Sequence, residues 1–138
     1  MEMKEGYVYH IKDSYFDIVK DKNLMINHEG NATRPNYFCM RINGDDFLWF
    51  IPMSSKIYKY KEIIKNKERK YGICDTIIIG NYRGREQAFL IQNMFPITKK
   101  YIDHIDTVQG KAIQVPSAVR KILVNKVKKI FKLKQQRY

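Results

Sequence analysis

The stretch from Tyr37 to Pro52 constrains this chain more than any other. YFCMRI and DFLWFIP are two apolar runs of strand length, and Asn43-Gly44 stands between them. Asn-Gly accepts the positive φ angles of a type I′ turn, whose twist matches that of the flanking strands. A β-hairpin is therefore expected over 37–42 and 46–52. Phe47 and Trp49 share a parity on the second strand, so both are expected to face the core. A chain built on such a hairpin folds around an antiparallel sheet.

Other elements are read around it. GYVYHIK (6–12) alternates well enough for a first strand. DSYFDIVK (13–20) suggests a short helix capped by Asp13 or Ser14, with Tyr15 and Ile18 turned inward. Residues 21–35 are polar, contain Gly30 and end on Pro35, so they read as a long loop of the kind that carries function. From Met53 to Lys70 there are seven Lys or Arg against two Glu, with Tyr and Ile at helical spacing. Ser54-Ser55 is then the loop or cap before a basic helix. A second hairpin is expected from DTIIIGN (75–81) and EQAFLIQNM (86–94) around Tyr82-Arg83-Gly84-Arg85. ITKKYIDHI, after Pro96, reads as a short helix. Pro116-Ser117 opens an amphipathic helix over about 116–134, with Ala118, Ile122, Leu123, Val127, Ile130 and Phe131 as its apolar stripe. Its polar face carries Arg120, Lys121, Lys126, Lys128, Lys129, Lys132 and Lys134, with Arg137 beyond it, and no acid follows Asp106. There are no internal repeats. With 138 residues the expectation is one α+β domain over 1–138, a compact twisted antiparallel sheet flanked by helices.

Charge narrows the partners. Twenty-six Lys and Arg against 14 Asp and Glu leave a formal charge of +12, which points to nucleic acid or an anionic membrane surface. No apolar run reaches the roughly 18 residues of a membrane span, and the opening MEMKEGYVYHIKD lacks the apolar stretch of a signal peptide. Two cysteines, Cys39 and Cys74, support neither a disulfide framework nor a four-ligand zinc site. His10, His28 and His104 do not assemble a metal site by spacing. A cytoplasmic, reduced protein without metal or cofactor is expected. The terminal helix could lie on anionic lipid, but its stripe is only as wide as a core-facing helix needs. Basic residues also recur at 56–70 and at Arg83 and Arg85, interleaved with tyrosines, which suits a phosphate backbone tracked across a folded surface. RNA or DNA is favoured and a membrane is not.

No Walker loop, dinucleotide fingerprint, HExxH motif or nucleophile elbow is present. What remains suits RNA cleavage in which the 2′-hydroxyl is the nucleophile. That reaction needs a proton acceptor, charge stabilisation on the phosphoryl oxygens and a proton for the leaving 5′-oxygen. IPMSSK offers the Ser54 and Ser55 hydroxyls, backbone N–H groups and the Lys56 ammonium together at a helix start, a natural phosphate cradle. Ser-Ser before a helix also serves as a plain cap.

Over most of its length the chain resembles the endoribonuclease toxins of type III toxin–antitoxin systems, the ToxN/AbiQ family, and most closely their CptN branch. The resemblance rests on YVYHIKDSYFDIVK, RPNYFCMRI, FLWFIPMSSK and IIIGNYRGREQAFLIQNMFPI, centred on Pro52-Met53-Ser54-Ser55 with a lysine close behind. It implies a Kid/MazF-like twisted sheet and metal-independent cleavage of A-rich RNA, leaving a 2′,3′-cyclic phosphate and a 5′-hydroxyl. It also implies inhibition by a small pseudoknot antitoxin RNA, cut by the toxin from a tandem-repeat precursor. Toxin and RNA would form an alternating protein–RNA assembly, and cellular mRNA would be the target.

Carried over by position, the family's active-site pair falls on Ser54 and Ser55. Its following lysine falls on Lys56 or, since the proline found between them in ToxN is absent here, on Lys59. The family's early helical tyrosine matches Tyr15. Where the family has a lysine after a proline, Asn36 stands, so Arg34 is the expected cation, with His28 a neighbour in the loop. Tyr15 reads equally as core, His28 as a solvated loop residue, and His10 and His104 as structural. Tyr58 and Tyr60 interleave with Lys59 and Lys61 and could stack on bases or pack. Arg83, Arg85, Arg120, Lys121 and Lys128 complete the expected RNA-binding set.

Overall fold

A computed structural model describes residues 2–136, with side chains as far as Lys132; Arg137 and the Lys134 side chain lie outside the described residues. The hairpin that organises the sequence is present as β4 (Asn36–Ile42) and β5 (Phe47–Ser54). Before it come β1 (Val8–Ile11), α1 (Asp13–Ile18) and a small ribbon of β2 (His28–Glu29) with β3 (Ala32–Thr33). After it come α2 (Ile57–Tyr71), β6 (Ile77–Tyr82), β7 (Arg85–Leu90), β8 (Phe95–Ile97) and β9 (Ile102–Ile105). A second ribbon, β10 (Thr107–Val108) with β11 (Lys111–Ala112), leads into α3 (Ser117–Gln136). The chain is α+β, with one antiparallel seven-stranded sheet ordered β6-β7-β5-β4-β1-β9 and β8 paired to β5. No helix among the described residues is long and apolar enough to cross a membrane.

Both faces of this sheet are covered, which explains the unbroken apolar runs of its central strands. On one face Tyr37, Ile51, Met53 and Phe89 pack against Leu123 and Val127 of α3. On the other, Tyr9, Phe38, Leu48, Phe50 and Phe95 enclose Tyr15 of α1. Tyr60, Ile63 and Ile64 of α2 cover Ile77, Ala88 and Leu90 at the β6–β7 end. A strand sandwiched in this way has no polar face for parity to mark. Leu48 and Phe50 are fully buried, whereas Phe47 is 47% exposed and Trp49 sits edge-on to Phe131 of α3. Phe47 and Trp49 therefore do not enter the core together.

The turns also differ from expectation. Ile42 pairs with Phe47, so the Asn43-Gly44 loop has four residues and not the two of a type I′ turn. A two-residue turn would pair Ile42 with Asp45 and slide every partner by two, breaking the stack of Phe38 on Phe50. The tight turn belongs instead to Arg83 and Gly84, both at positive φ (57° and 76°), between paired Tyr82 and Arg85. Residues 102–105, expected as helix, are strand β9 paired to β1; only Lys99–Tyr101 turn, in a single 3₁₀ turn. Sheet pairing outweighs the local helical pattern there. In α1, Lys12 occupies the cap without a side-chain hydrogen bond and Ile18 is 67% exposed, so neither Asp13 nor Ser14 caps it. Cys74 lies in the connection before β6, and both cysteines are free.

In α3 the buried stripe is Leu123 and Val127 flanked by Val119, Ile130 and Phe131, while Ala118 and Ile122 face solvent. The helix lies close because Gly80 of β6 has no side chain: a Cβ there would meet Val119 at 2.8 Å. Asp75 clamps it further, accepting from Lys126 at 2.6 Å and Lys129 at 2.8 Å.

Candidate active site

Strand β5 ends where its ladder to β7 closes, with Met53 opposite Phe89 and Ser54 opposite Ala88. Ser54 is 1% exposed, and the chain leaves the sheet through Ser55 and Lys56 into α2. The β2–β3 ribbon comes across this corner and places the Glu29 carboxylate on it. One Glu29 oxygen accepts from the Ser54 hydroxyl (2.7 Å) and from Arg34 Nη1 (3.0 Å). The other accepts from the Ser55 amide (3.0 Å) and the Ser55 hydroxyl (2.6 Å). Four donors thus converge on one oxyanion.

Burial works to raise the Glu29 carboxyl. The bonds from the Ser55 hydroxyl and amide and the Ser54 hydroxyl, with the Arg34 charge, outweigh it and bring the pKa down to about 2. So depressed a carboxylate is a poor proton acceptor near neutrality, because a general base works best with its pKa close to the working pH. Glu29 holds and orients the two serines instead.

Arg34 is tied down as firmly as Glu29. Its side chain is 7% exposed, its Nε donates to the Ile26 carbonyl (2.8 Å), and Nη1 also reaches the Met53 carbonyl (3.0 Å). It neutralises a buried carboxylate and ties the loop to β5 through Nε and Nη1, while Nη2 has no hydrogen-bond partner among the described residues. The expected cradle of free amides is likewise in use: Ser55 N–H goes to Glu29, and Lys56 N–H to Ser54 Oγ (3.2 Å). Neither serine caps α2, since Lys56 is the cap residue. The Lys56 side chain is exposed at this corner and has no ion pair among the described residues, whereas Lys59 lies over the Tyr60 ring at 5.3 Å. Of the two candidate lysines, Lys56 adjoins the serines.

Tyr15 is placed elsewhere. It is buried among Phe16, Phe95 and Tyr101, and its hydroxyl donates to the Pro96 carbonyl (3.1 Å). Desolvation raises its pKa, and nothing brings it to the serines. His28 pairs with Asp13 at 2.8 Å on an exposed edge, and hydrogen bonds from Asn27 and then His28 hold that carboxyl below its ordinary value. Tyr60 is core, while Tyr58 is 84% exposed, with Lys61 near its ring and bonded to Glu86 (3.1 Å). Arg120 donates to the Val115 carbonyl (2.8 Å), and Lys121 and Lys128 stand exposed along α3, apart from the serine corner.

A second polar cluster lies on the other side of the same ribbon. Asp106 accepts from His10 Nε2 (2.8 Å), the Tyr82 hydroxyl (2.7 Å) and Arg83 Nη1 (3.1 Å), while His10 Nδ1 lies 2.8 Å from Thr33 Oγ1. His104 stacks on the His10 ring at 4.5 Å. Burial pushes the Asp106 carboxyl up, and the His10 and Tyr82 bonds with the nearby cations overcome it, leaving it below its ordinary value. These groups floor a cleft of about 530 Å³ bounded by Thr33 on one wall and Arg83, Arg85 and Gln87 on the other.

Sequence reading missed both Glu29 and this cleft. For Glu29 a signal existed, since it is the sole acid between Lys22 and Gly44 in a loop already marked as functional. Among the described residues no three His, Cys, Asp or Glu side chains gather as a metal site. Compared with known protein families the chain matches none, and no curated protein matches it.

Proposed function

We propose that this protein is a metal-independent endoribonuclease toxin of the type III toxin–antitoxin kind, acting on A-rich RNA and restrained by a small pseudoknot RNA that it cuts from its own repeat precursor. One observation carries the reading. The residues singled out by resemblance, Ser54, Ser55 and Lys56, stand together at one basic corner, and the serines belong to a donor set that already holds an oxyanion, the Glu29 carboxylate. With their protons on Glu29, the serine oxygens present lone pairs that can align a ribose 2′-hydroxyl. The exposed Lys56 ammonium is placed to stabilise charge on the phosphoryl oxygens. In the reaction the 2′-oxygen bonds to phosphorus and the P–O5′ bond breaks. The 2′-hydroxyl proton is delivered, through solvent, to the 5′-oxygen, leaving a 2′,3′-cyclic phosphate and a 5′-hydroxyl.

The test is cleavage of RNA by protein freed of co-purified RNA, in excess EDTA, with chemical typing of the ends. Cyclic phosphate and 5′-hydroxyl ends that vanish with Lys56→Ala are the expected result. Intact RNA would overturn the reading. The engagement of both serine protons by Glu29 favours a second reading, a basic RNA-binding module without cleavage; it expects tight binding with a steep salt dependence and no new ends.

A further inference from the structure

The cleft between the β2–β3 ribbon and the β6–β7 hairpin has no part in that reading. Its groups are nevertheless arranged as a binding site. Asp106 takes a hydrogen bond from His10 Nε2, so in the neutral ring the hydrogen sits on that nitrogen and Nδ1 is an acceptor. The Thr33 hydroxyl, 2.8 Å from Nδ1, donates to a neutral ring and accepts from a protonated one. In either state Thr33 Oγ1 keeps a lone pair free, an acceptor on the cleft wall. What fits an acceptor fixed in this way is a donor, such as a sugar hydroxyl.

Charge identifies the rest of the ligand. Arg83 balances Asp106, but Arg85 lines the cleft without an ion pair among the described residues. The cleft therefore carries at least one uncompensated positive charge, which suits a phosphate. Pro35, Val108 and Ile113 supply apolar wall, and Gln87 a side-chain amide with both donor and acceptor. A volume of about 530 Å³ is sized for one small ligand and too small for a folded helix.

We propose that this cleft is a ribonucleotide subsite. The phosphate sits on Arg85, the base lies against Pro35 and Ile113, and Thr33, set by His10 and Asp106, accepts a hydrogen bond from the ribose 2′-hydroxyl. The subsite selects RNA over DNA because a deoxynucleotide leaves Thr33 Oγ1 without its donor. It lies across one ribbon from the serine corner, since Ala32 on the cleft wall pairs with Glu29. It thus extends the RNA reading above by one nucleotide along the strand.

The test uses the full chain, free of RNA, titrated with adenosine 3′-monophosphate, its 2′-deoxy analogue and inorganic phosphate, with binding read by NMR and calorimetry. The ribonucleotide should shift the His10 and Thr33 resonances and bind about three- to tenfold more tightly than the deoxy analogue. Arg85→Gln should weaken both nucleotides about tenfold. Thr33→Val should abolish the ribose preference and Thr33→Ser should keep it, with melting curves confirming that both fold. Unmoved His10 and Thr33 resonances would overturn the proposal. So would a ribose preference that survives Thr33→Val, or inorganic phosphate binding as well as the nucleotide. Failure here is distinct from failure of the nuclease reading. RNA cleavage with an unperturbed cleft removes only the subsite, and nucleotide binding without cleavage removes only the nuclease.

Discussion

Two polar clusters flank the β2–β3 ribbon, and they differ in what their donors have left to give. At the serine corner both serine hydroxyls and Arg34 Nε and Nη1 are spent on Glu29 or on a carbonyl. In the cleft, Asp106 is equally saturated, yet Arg85 and one face of Thr33 still look into open space. The first arrangement holds the loop 21–35 against the sheet, and the second leaves capacity for something from outside. Saturated polar clusters chiefly support the fold, and partly satisfied ones beside a cavity support recognition. The exposed Lys56 is where the first cluster departs from this pattern.

Removing that exception should have the largest consequence. Lys56→Ala is expected to lower RNA cleavage on the order of 10²–10³-fold, with the melting temperature unchanged because the side chain is solvent-exposed and has no ion pair among the described residues. Single-turnover kinetics and a melting curve check both halves.

Glu29→Gln tests the opposite claim, that the carboxylate holds the fold. It leaves the buried Arg34 guanidinium without its counter-charge and should cost about 3 kcal/mol of stability by denaturant titration. The same group makes stability depend on pH. Its carboxyl lies at about 2 in the folded chain against 4.5 ordinarily. Its contribution, on the order of 3 kcal/mol, is therefore complete above about pH 4.5 and lost as the pH falls towards 2. Glu29→Gln should flatten the acid limb of the stability curve over that window.

Within the cleft, Tyr82→Phe deletes one of three donors to Asp106 and should cost about 1.5 kcal/mol, since that carboxylate keeps its bonds to His10 and Arg83. The smallest effect is expected at Tyr15. Replacing it with Phe keeps the ring among Phe16, Phe95 and Tyr101 and loses only the bond to the Pro96 carbonyl, costing about 1 kcal/mol with cleavage unaltered. Loss of cleavage in that variant would return Tyr15 to the site.

What could be read from the chain followed the range of the interaction. The β4–β5 hairpin, the β6–β7 turn and the terminal helix rest on local patterns and lie where the sequence puts them, whereas the strand expected over 86–94 ends at Leu90 and passes into a 3₁₀ turn at Ile91–Asn93. The turn at Asn43 failed because the stack of Phe38 on Phe50, and not the dipeptide, decides the register. The strand at 102–105 failed because its partner is β1, more than ninety residues earlier. Ser54 and Ser55 could be singled out from a local motif, but the carboxylate that holds them comes from 25 residues upstream. His10 and Asp106 stand 96 residues apart, and no periodicity links them.

The seat of α3 against Gly80 has a consequence for how the chain is made. Synthesis runs from the amino end, and the apolar face formed by Tyr37, Ile51 and Phe89 has its cover in Leu123 and Val127. Until those residues leave the ribosome that face stays wet, while the opposite face, closed by Tyr9, Phe50 and Phe95, can already dehydrate. Nascent chains halted before residue 117 would be half-built and sticky, and therefore chaperone clients. Helix α3 then acts as a timer, delaying closure of this face until Leu123 and Val127 have emerged.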